Sequence, residues 1–220
     1  IRQNKVKKLL GSSADAVLVS SKVNLYYLTG RIFDGYFYLP AIGDGIVFAK
    51  KEANAGENFI LIGKPEQIPE KLSELGLTMP KTVMLEGLYL NYFEYQRLSA
   101  VFKNTAVITD VIKTAREIKT DFEIDRIREC GNIHSEAYNN IPALYKDGMS
   151  DVEFQIEIER EMRLFGNLGM VRIFGSSMEA NMGSVLCGDN ALNQSPYDFA
   201  LGGEGVESLP FGANGTLIRQ

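Results

Sequence analysis

Ala115-Arg116-Glu117-Ile118-Lys119-Thr120-Asp121-Phe122-Glu123-Ile124 is the stretch on which the reading of the chain turns. Thr120 and Glu123 form a capping box: the hydroxyl and the carboxylate each satisfy a backbone N–H left free at a helix start. Glu117, Asp121 and Glu123 place negative charge in or near the first turn, where the helix dipole favours it. Behind the box, Ile127, Gly131, His134, Tyr138 and Ile141 share one helical face, and Pro142 is placed to kink the helix near its end. Lys146-Asp147-Gly148 reads as a turn. Ser150 and Glu153 repeat the capping box, Phe154, Ile158, Met162 and Phe165 line the face that follows, and Gly166 stops that helix. Two long helices therefore follow this stretch.

What precedes it has another character. Ile1–Leu10 reads as a short helix ending at Gly11, with Lys5, Lys7 and Lys8 suited to its C-terminal end. Ala16–Ser20, Asn24–Thr29, Gly45–Ala49, Asn58–Ile62, Thr82–Glu86 and Ala106–Thr109 read as strands. The polar region 50–57 between the third and fourth predicts a hairpin. Pro69–Leu75 reads as a helix opened by its proline, and Tyr92–Phe102 as an amphipathic helix. Strands alternating with helices imply crossover units and a sheet covered by helices. The expected boundary lies near 111–113, dividing 1–112 from 113–220.

Beyond Gly166 the chain turns rich in Gly, Asn and Ser. Met170–Phe174 and Gly183–Cys187 read as short strands, and Gly202–Gly205 and Gly212–Gly215 as loops. Across 220 residues, 45% are hydrophobic and 23% charged, ordinary for a folded globular chain. The net charge of -5, without a Lys/Arg stripe, argues against a nucleic-acid partner. No apolar run approaches the ~20 residues a membrane helix needs, so no membrane association is expected. Two cysteines are too few for a disulfide framework and suggest a reducing, cytoplasmic setting. Ile1-Arg2-Gln3-Asn4 lacks the apolar core of a signal peptide; without a Met there, the natural N-terminus is expected upstream.

In series, these segments resemble the pita-bread metallopeptidases of the Xaa-Pro aminopeptidase and prolidase type. Asn24-Leu25-Tyr26-Tyr27-Leu28-Thr29-Gly30 resembles a segment of the creatinase/prolidase N-terminal domain. Arg116-Glu117-Ile118-Lys119-Thr120, Glu123-Ile124 and Ile127-Arg128 resemble the linker and first helix of the catalytic domain. Gly148-Met149-Ser150-Asp151-Val152-Glu153 resembles the start of its second helix. The resemblance implies an α/β fold: a creatinase/prolidase-like mixed-sheet domain, then the first part of an α+β pita-bread domain. It further implies hydrolysis of a peptide bond next to proline, two divalent ions (Mn, Co or Zn) and a homodimer. The family's metal ligands follow a strand carrying Asp-x-Gly; the chain ends at Leu217–Gln220, about where that strand is expected, so no ligand is expected within it and the sequence alone is expected to be inactive. Gly188-Asp189-Asn190-Ala191 matches the opening of a segment in which relatives carry a substrate-contacting His. Ser195 stands at that His position, followed by Pro196 and Tyr197, so Ser195 and Tyr197 are the candidate substrate-binding residues. The substitution keeps two alternatives open: a metal-free creatinase-like C–N hydrolase, and a binding module without catalysis.

Other features carry more than one reading. Cys130 and His134, one helical turn apart, are either two metal ligands, a nucleophile and its base, or a buried thiol and a satisfied imidazole on an apolar stripe. The run Arg31–Tyr38 is either a strand packed into the sheet or an exposed aromatic loop at a dimer contact. Gly203-x-Gly205 reads as a flexible loop rather than a nucleotide loop, and the sequons at Asn193 and Asn214 read as chance.

Overall fold

The structure is a computed structural model that describes residues 1–51, 59–87, 89–107, 111–173, 178–181 and 185–193. The chain divides into two compact units, Ile1–Lys119 and Thr120–Gln220.

In the first unit, the elements in order are α1 (Arg2–Leu10), β1 (Ala16–Val19), α2 (Lys22–Thr29), β2 (Gly35–Pro40), β3 (Ile46–Ala49), β4 (Ile60–Leu61), a 3-10 turn at Pro65–Gln67, α3 (Ile68–Glu74), β5 (Val83–Leu85), α4 (Tyr92–Phe102), β6 (Thr105–Val107) and α5 (Val111–Glu117). The strands form one mixed sheet in the order β4-β3-β2-β1-β5-β6. β1 pairs antiparallel with β2 and parallel with β5, which pairs parallel with β6.

Alternation along the strands feeds two cores. Val17, Val19, Phe37 and Leu39 face a cluster with Val6 and Leu10 of α1, Leu25 and Leu28 of α2, and Ile112 and Ala115 of α5. Ala16, Leu18, Tyr36 and Tyr38 face the opposite cluster, with Ile68 and Leu72 of α3 and Leu98 and Phe102 of α4. The central strands are thus buried on both faces, which is why β1 reads as an unbroken apolar run rather than an alternating one. Each such Leu or Phe contributes about 1.5–3 kcal/mol of burial. Ile112 and Ala115 lie in the first of these cores and α5 packs on α1, so α5 belongs to the first unit and the units divide at Lys119–Thr120.

Two sequence expectations are corrected here, and one open pair of readings is decided. Asn24–Thr29 is helix, not strand: α2 buries Asn24, Leu25, Tyr27 and Leu28, a helical spacing, and Gly30 closes it at φ 75. β3 and β4 pair parallel, so they are no hairpin; the pairing carries Ile62 into the core. Of the two readings of the aromatic run, the packed strand holds: from Gly35 onward it is β2, not an exposed loop. Tyr36 and Phe37 are each only 2% exposed and Tyr38 4%. The Tyr36 hydroxyl donates to Glu94 Oε1 at 3.0 Å, and Lys50 Nζ lies 5.2 Å from the ring centre. Burial, with Glu94 alongside, pushes the Tyr36 phenol far above its ordinary value; burial, with Asp15 nearby, pushes Tyr38 up to about 12.

In the second unit, α6 (Asp121–Asn140) runs into a 3-10 turn at Ile141–Leu144, with Pro142 in its first positions, and α7 (Asp151–Leu164) follows. Both expected capping boxes form: Thr120 and Ser150 accept from the Glu123 and Glu153 N–H groups at 3.3 and 3.2 Å. β7 (Met170–Ile173) pairs antiparallel with β8 (Met178–Asn181), and α8 (Gly188–Leu192) ends the described part. Residues 185–187 are neither helix nor strand, correcting the expected strand there. Residue 174, residues 182–184 and the loops expected at 202–205 and 212–215 lie outside the described residues.

Candidate functional site

The most connected polar cluster of the first unit lies where β1 and β5 end. From β1 the chain turns to β2 on one side, and from β5 it crosses through α4 to β6 on the other. In open α/β sheets, the crevice beyond the strand ends at such a divergence is where ligands bind, often as an anion on a helix N-terminus. Here the protein's own carboxylate fills it. Glu86, one residue past β5 and 2% exposed, accepts from the backbone N–H groups of Ser20 at 2.6 Å and Ser21 at 2.8 Å through Oε2. Its Oε1 accepts from Asn24 Nδ2 at 2.6 Å. Ser21 occupies the N-cap position of α2, yet its buried hydroxyl makes no hydrogen bond; Glu86 caps the helix in its place, and its charge complements the dipole.

The cluster extends to α5. Asn24 Oδ1 accepts from Arg116 Nη1 at 3.2 Å, and the Tyr27 hydroxyl donates to the Ala115 carbonyl at 3.0 Å. Asn24 and Tyr27 on α2 and Ala115 and Arg116 on α5, far apart in sequence, therefore meet in space. Their chemistry is architectural: the Glu86 carboxylate, the Asn24 amide, Arg116 Nη1 and the Tyr27 hydroxyl are spent on one another and on backbone groups, and the Ser21 hydroxyl alone of the atoms named here is idle.

In the second unit, a cleft of about 330 Å³ opens between α6 and α7 and includes Cys130, His134 and Met162 among its lining. Cys130 and His134 are both exposed, correcting the reading of a buried thiol and a satisfied core imidazole. His134 instead lies against Tyr138, with ring centres 4.7 Å apart and the planes tilted by 40°. Most of the expected apolar face of α6 is likewise exposed, Ile127 at 57% and Tyr138 at 55%, and only Ala137 of that helix is buried. Among the described residues no group of three or more His, Cys, Asp or Glu is arranged to hold a metal ion. These residues thus do not fit a dinuclear metal centre, and Cys130 with His134 has no third ligand there.

Ser195 and Tyr197, the substrate-binding candidates, lie outside the described residues. The stretch Gly188–Ala191 that precedes them forms the start of α8, with Gly188 in the left-handed region at φ 60. The chain leading into it is tied to α7: Gln155, 7% exposed, accepts the Val185 N–H on its Oε1 at 3.1 Å. Sequence reasoning passed over both Glu86 and Gln155. Each is a polar residue beside an apolar segment, which was the available signal.

Residues 2–118 match the Creatinase/Prolidase N-terminal domain family. The chain belongs to that family. The match spans the whole sheet and takes in Asn24, Glu86 and Arg116, so the buried cluster lies within the creatinase/prolidase-type unit. The chain is also similar to an uncharacterized peptidase of Staphylococcus saprophyticus, 24% identical over 207 residues, which cover 87% of this chain and 58% of that protein. An uncharacterized peptidase of Bacillus subtilis is 26% identical over 178 residues, covering 76% of this chain and 50% of its own. The chain spans about half the length of the curated relatives it matches. Among solved structures, the Xaa-Pro dipeptidase from Bacillus anthracis superposes with a TM-score of 0.61 at 19% identity, over 76% of this chain and 50% of that one. The prolidase from Pyrococcus horikoshii gives 0.59 at 20%, over 77% and 51%. These likenesses show the fold: a mixed α/β chain matching the N-terminal part of prolidase-type structures. No helix among the described residues is long and apolar enough to cross a membrane.

Proposed function

We propose that this chain is the front part of a metal-dependent peptidase that hydrolyses a peptide bond next to proline. One observation carries the proposal: a creatinase/prolidase-type unit is followed, in order, by the two capped helices α6 and α7 and the Gly188 turn, in a fold that superposes on Xaa-Pro dipeptidase. In this reading Ser195 and Tyr197 contact the substrate. The Ser195 hydroxyl donates or accepts a hydrogen bond but carries no charge, so it orients a peptide without serving as an electrostatic anchor. The divalent ions, Mn, Co or Zn, are held by residues outside those described. The protein acts as a homodimer in the cytoplasm, binding neither nucleic acid nor membrane; exposed, unpaired Cys130 and Cys187 support a reducing compartment.

Ser195, at the place of a His, favours two other readings: a creatinase-like C–N hydrolase, and a non-catalytic module on the same scaffold. The full natural chain, offered Xaa-Pro dipeptides, Xaa-Ala dipeptides and creatine, separates these. Cleavage of Xaa-Pro alone is the expected result. Turnover of creatine supports the C–N hydrolase instead, and saturable binding of dipeptide without cleavage the non-catalytic module.

A further inference from the structure

We propose that Cys130 and His134, joined by the Met162 thioether, form a binding site for a soft monovalent cation of the Cu(I) type. Cys130 and His134 stand one helical turn apart on α6, where side chains are neighbours with about 5–6 Å between their Cβ atoms. Both are exposed, and both line the cleft between α6 and α7. Met162 of α7, 7% exposed, lines the same cleft. Two metal–ligand bonds together span about 4 Å, so a thiolate and an imidazole one turn apart can reach one ion. Tyr138, a further turn along, flanks the His134 ring and restricts its swing.

The donors and the charge select the ion. Zinc wants further Cys, His, Asp or Glu ligands, and among the described residues no group of three or more is arranged to supply them. Thiolate and thioether sulfur favour Cu(I), which is also satisfied by fewer ligands. Of the residues lining the cleft, Arg126 and Glu129 carry charge, and they pair with each other. A thiolate and a monovalent cation cancel, while the imidazole and the thioether add no charge. The loaded site is therefore neutral beside Ile133, Ala137 and Phe165, where a divalent ion would leave a net positive charge to desolvate. On binding, the Cys130 thiol releases its proton and the sulfur bonds to the ion, with no change of oxidation state. Cys187, the other free and exposed thiol, does not line the cleft.

The test titrates the full natural chain with Cu(I), without oxygen, against a chromogenic Cu(I) chelator, after incubation with Mn to fill any divalent-metal centre. Wild type should withdraw a single Cu(I) per chain from the chelator. Cys130→Ser and His134→Leu, at exposed positions, should each weaken binding by more than the roughly 10–100-fold that losing an outer-sphere partner costs. Met162→Leu keeps the volume and removes the sulfur, and should weaken binding by about tenfold. Cys187→Ser should bind as wild type does. Circular dichroism checks that each variant is folded. Should one fail to fold, X-ray absorption at the copper edge of the wild-type complex decides instead, with sulfur and imidazole nitrogen expected together in the coordination sphere. A wild type that takes no Cu(I) from the chelator would overturn the proposal. So would full affinity in His134→Leu, loss of the ion in Cys187→Ser, or a coordination sphere of sulfur alone.

Discussion

Removing the Glu86 carboxylate is the most demanding test of how the first unit is held together. Glu86→Ala deletes the acceptor of two backbone N–H groups and of Asn24 Nδ2, at 2.6, 2.8 and 2.6 Å. Hydrogen bonds to a charged group contribute about 1.5–3 kcal/mol each, and a buried donor left alone costs about 1–3 kcal/mol. These losses overlap, because water and the idle Ser21 hydroxyl can take over part of the capping. The expected net cost is about 3–5 kcal/mol, the range for breaking a buried charged contact. Glu86→Gln keeps the shape and one acceptor, but its NH₂ group must face either the backbone donors or the Asn24 amide. It should fall between wild type and alanine, at about 2 kcal/mol. Urea unfolding of the 220-residue chain, followed by far-UV circular dichroism and by amide exchange at Leu25 in α2, reads the cost directly. Inorganic phosphate supplies an internal control. The capping position vacated in Glu86→Ala is a free helix N-terminus, so phosphate should raise that variant's Tm and leave wild type unmoved. An alanine variant within about 0.5 kcal/mol of wild type, a change typical of an inert surface site, would refute the reasoning. So would a phosphate response equal in both proteins.

Three further outcomes follow from the same structure. Gly35→Ala should cost about 2–3 kcal/mol in urea unfolding, because its Cβ would lie 2.1 Å from the Phe48 carbonyl oxygen, a backbone atom with no freedom to retreat. Tyr36 and Tyr38 hold their phenolic protons more tightly folded than unfolded, from an ordinary value of 10.0, so they add stability that is complete below about pH 10; the Tyr38 share is lost as pH climbs through about 12, and the Tyr36 share at still higher pH. A pH titration of tyrosinate absorbance should show these two phenols ionising only with unfolding. The Ser150 backbone N–H and hydroxyl hold the Glu153 carboxyl below the ordinary carboxylate value; its contribution is present above that value and fades as pH falls through the depressed one. Carboxyl-carbon NMR should find Glu153 titrating low, and Ser150→Ala should move it back up.

Much of the frame was legible because it is written in local chemistry. The Asn91 cap accepts the Glu94 N–H at 2.8 Å and opens α4 at Tyr92, where the apolar spacing put it. Thr120 and Ser150 announce α6 and α7 in the same way. The failures are places where tertiary structure overrides local preference. Asn24–Thr29, with its two tyrosines and leucines, has strand composition, but its helix is capped from a distant strand end by Glu86, which no local pattern reveals. Ser21 and Gly30 at its two ends were the available signal. The β3–β4 pairing is fixed by burial of Ile62 rather than by loop length. Tyr36 and Phe37 left a packed strand and a partner contact both open because aromatic residues serve cores and interfaces equally well; their burial decides for the strand and means that serine substitutions there would cost stability and would not report on dimerisation. Of the candidate site, sequence supplied Ser195 and Tyr197 through resemblance alone. Gln155 escaped notice because the Val185 N–H that gives it purpose lies thirty residues away.

Metal-dependent cleavage beside proline is the claim on which the functional account stands. The decisive measurement is hydrolysis of an Xaa-Pro dipeptide by the full natural chain, stripped by chelator and then titrated with Mn, with bound metal counted at each point. The account predicts no turnover in the stripped protein and activity that rises with metal to saturation near two ions per chain. A folded chain that binds the metal yet leaves Xaa-Pro uncleaved, or one that cleaves it equally well when stripped, would contradict it.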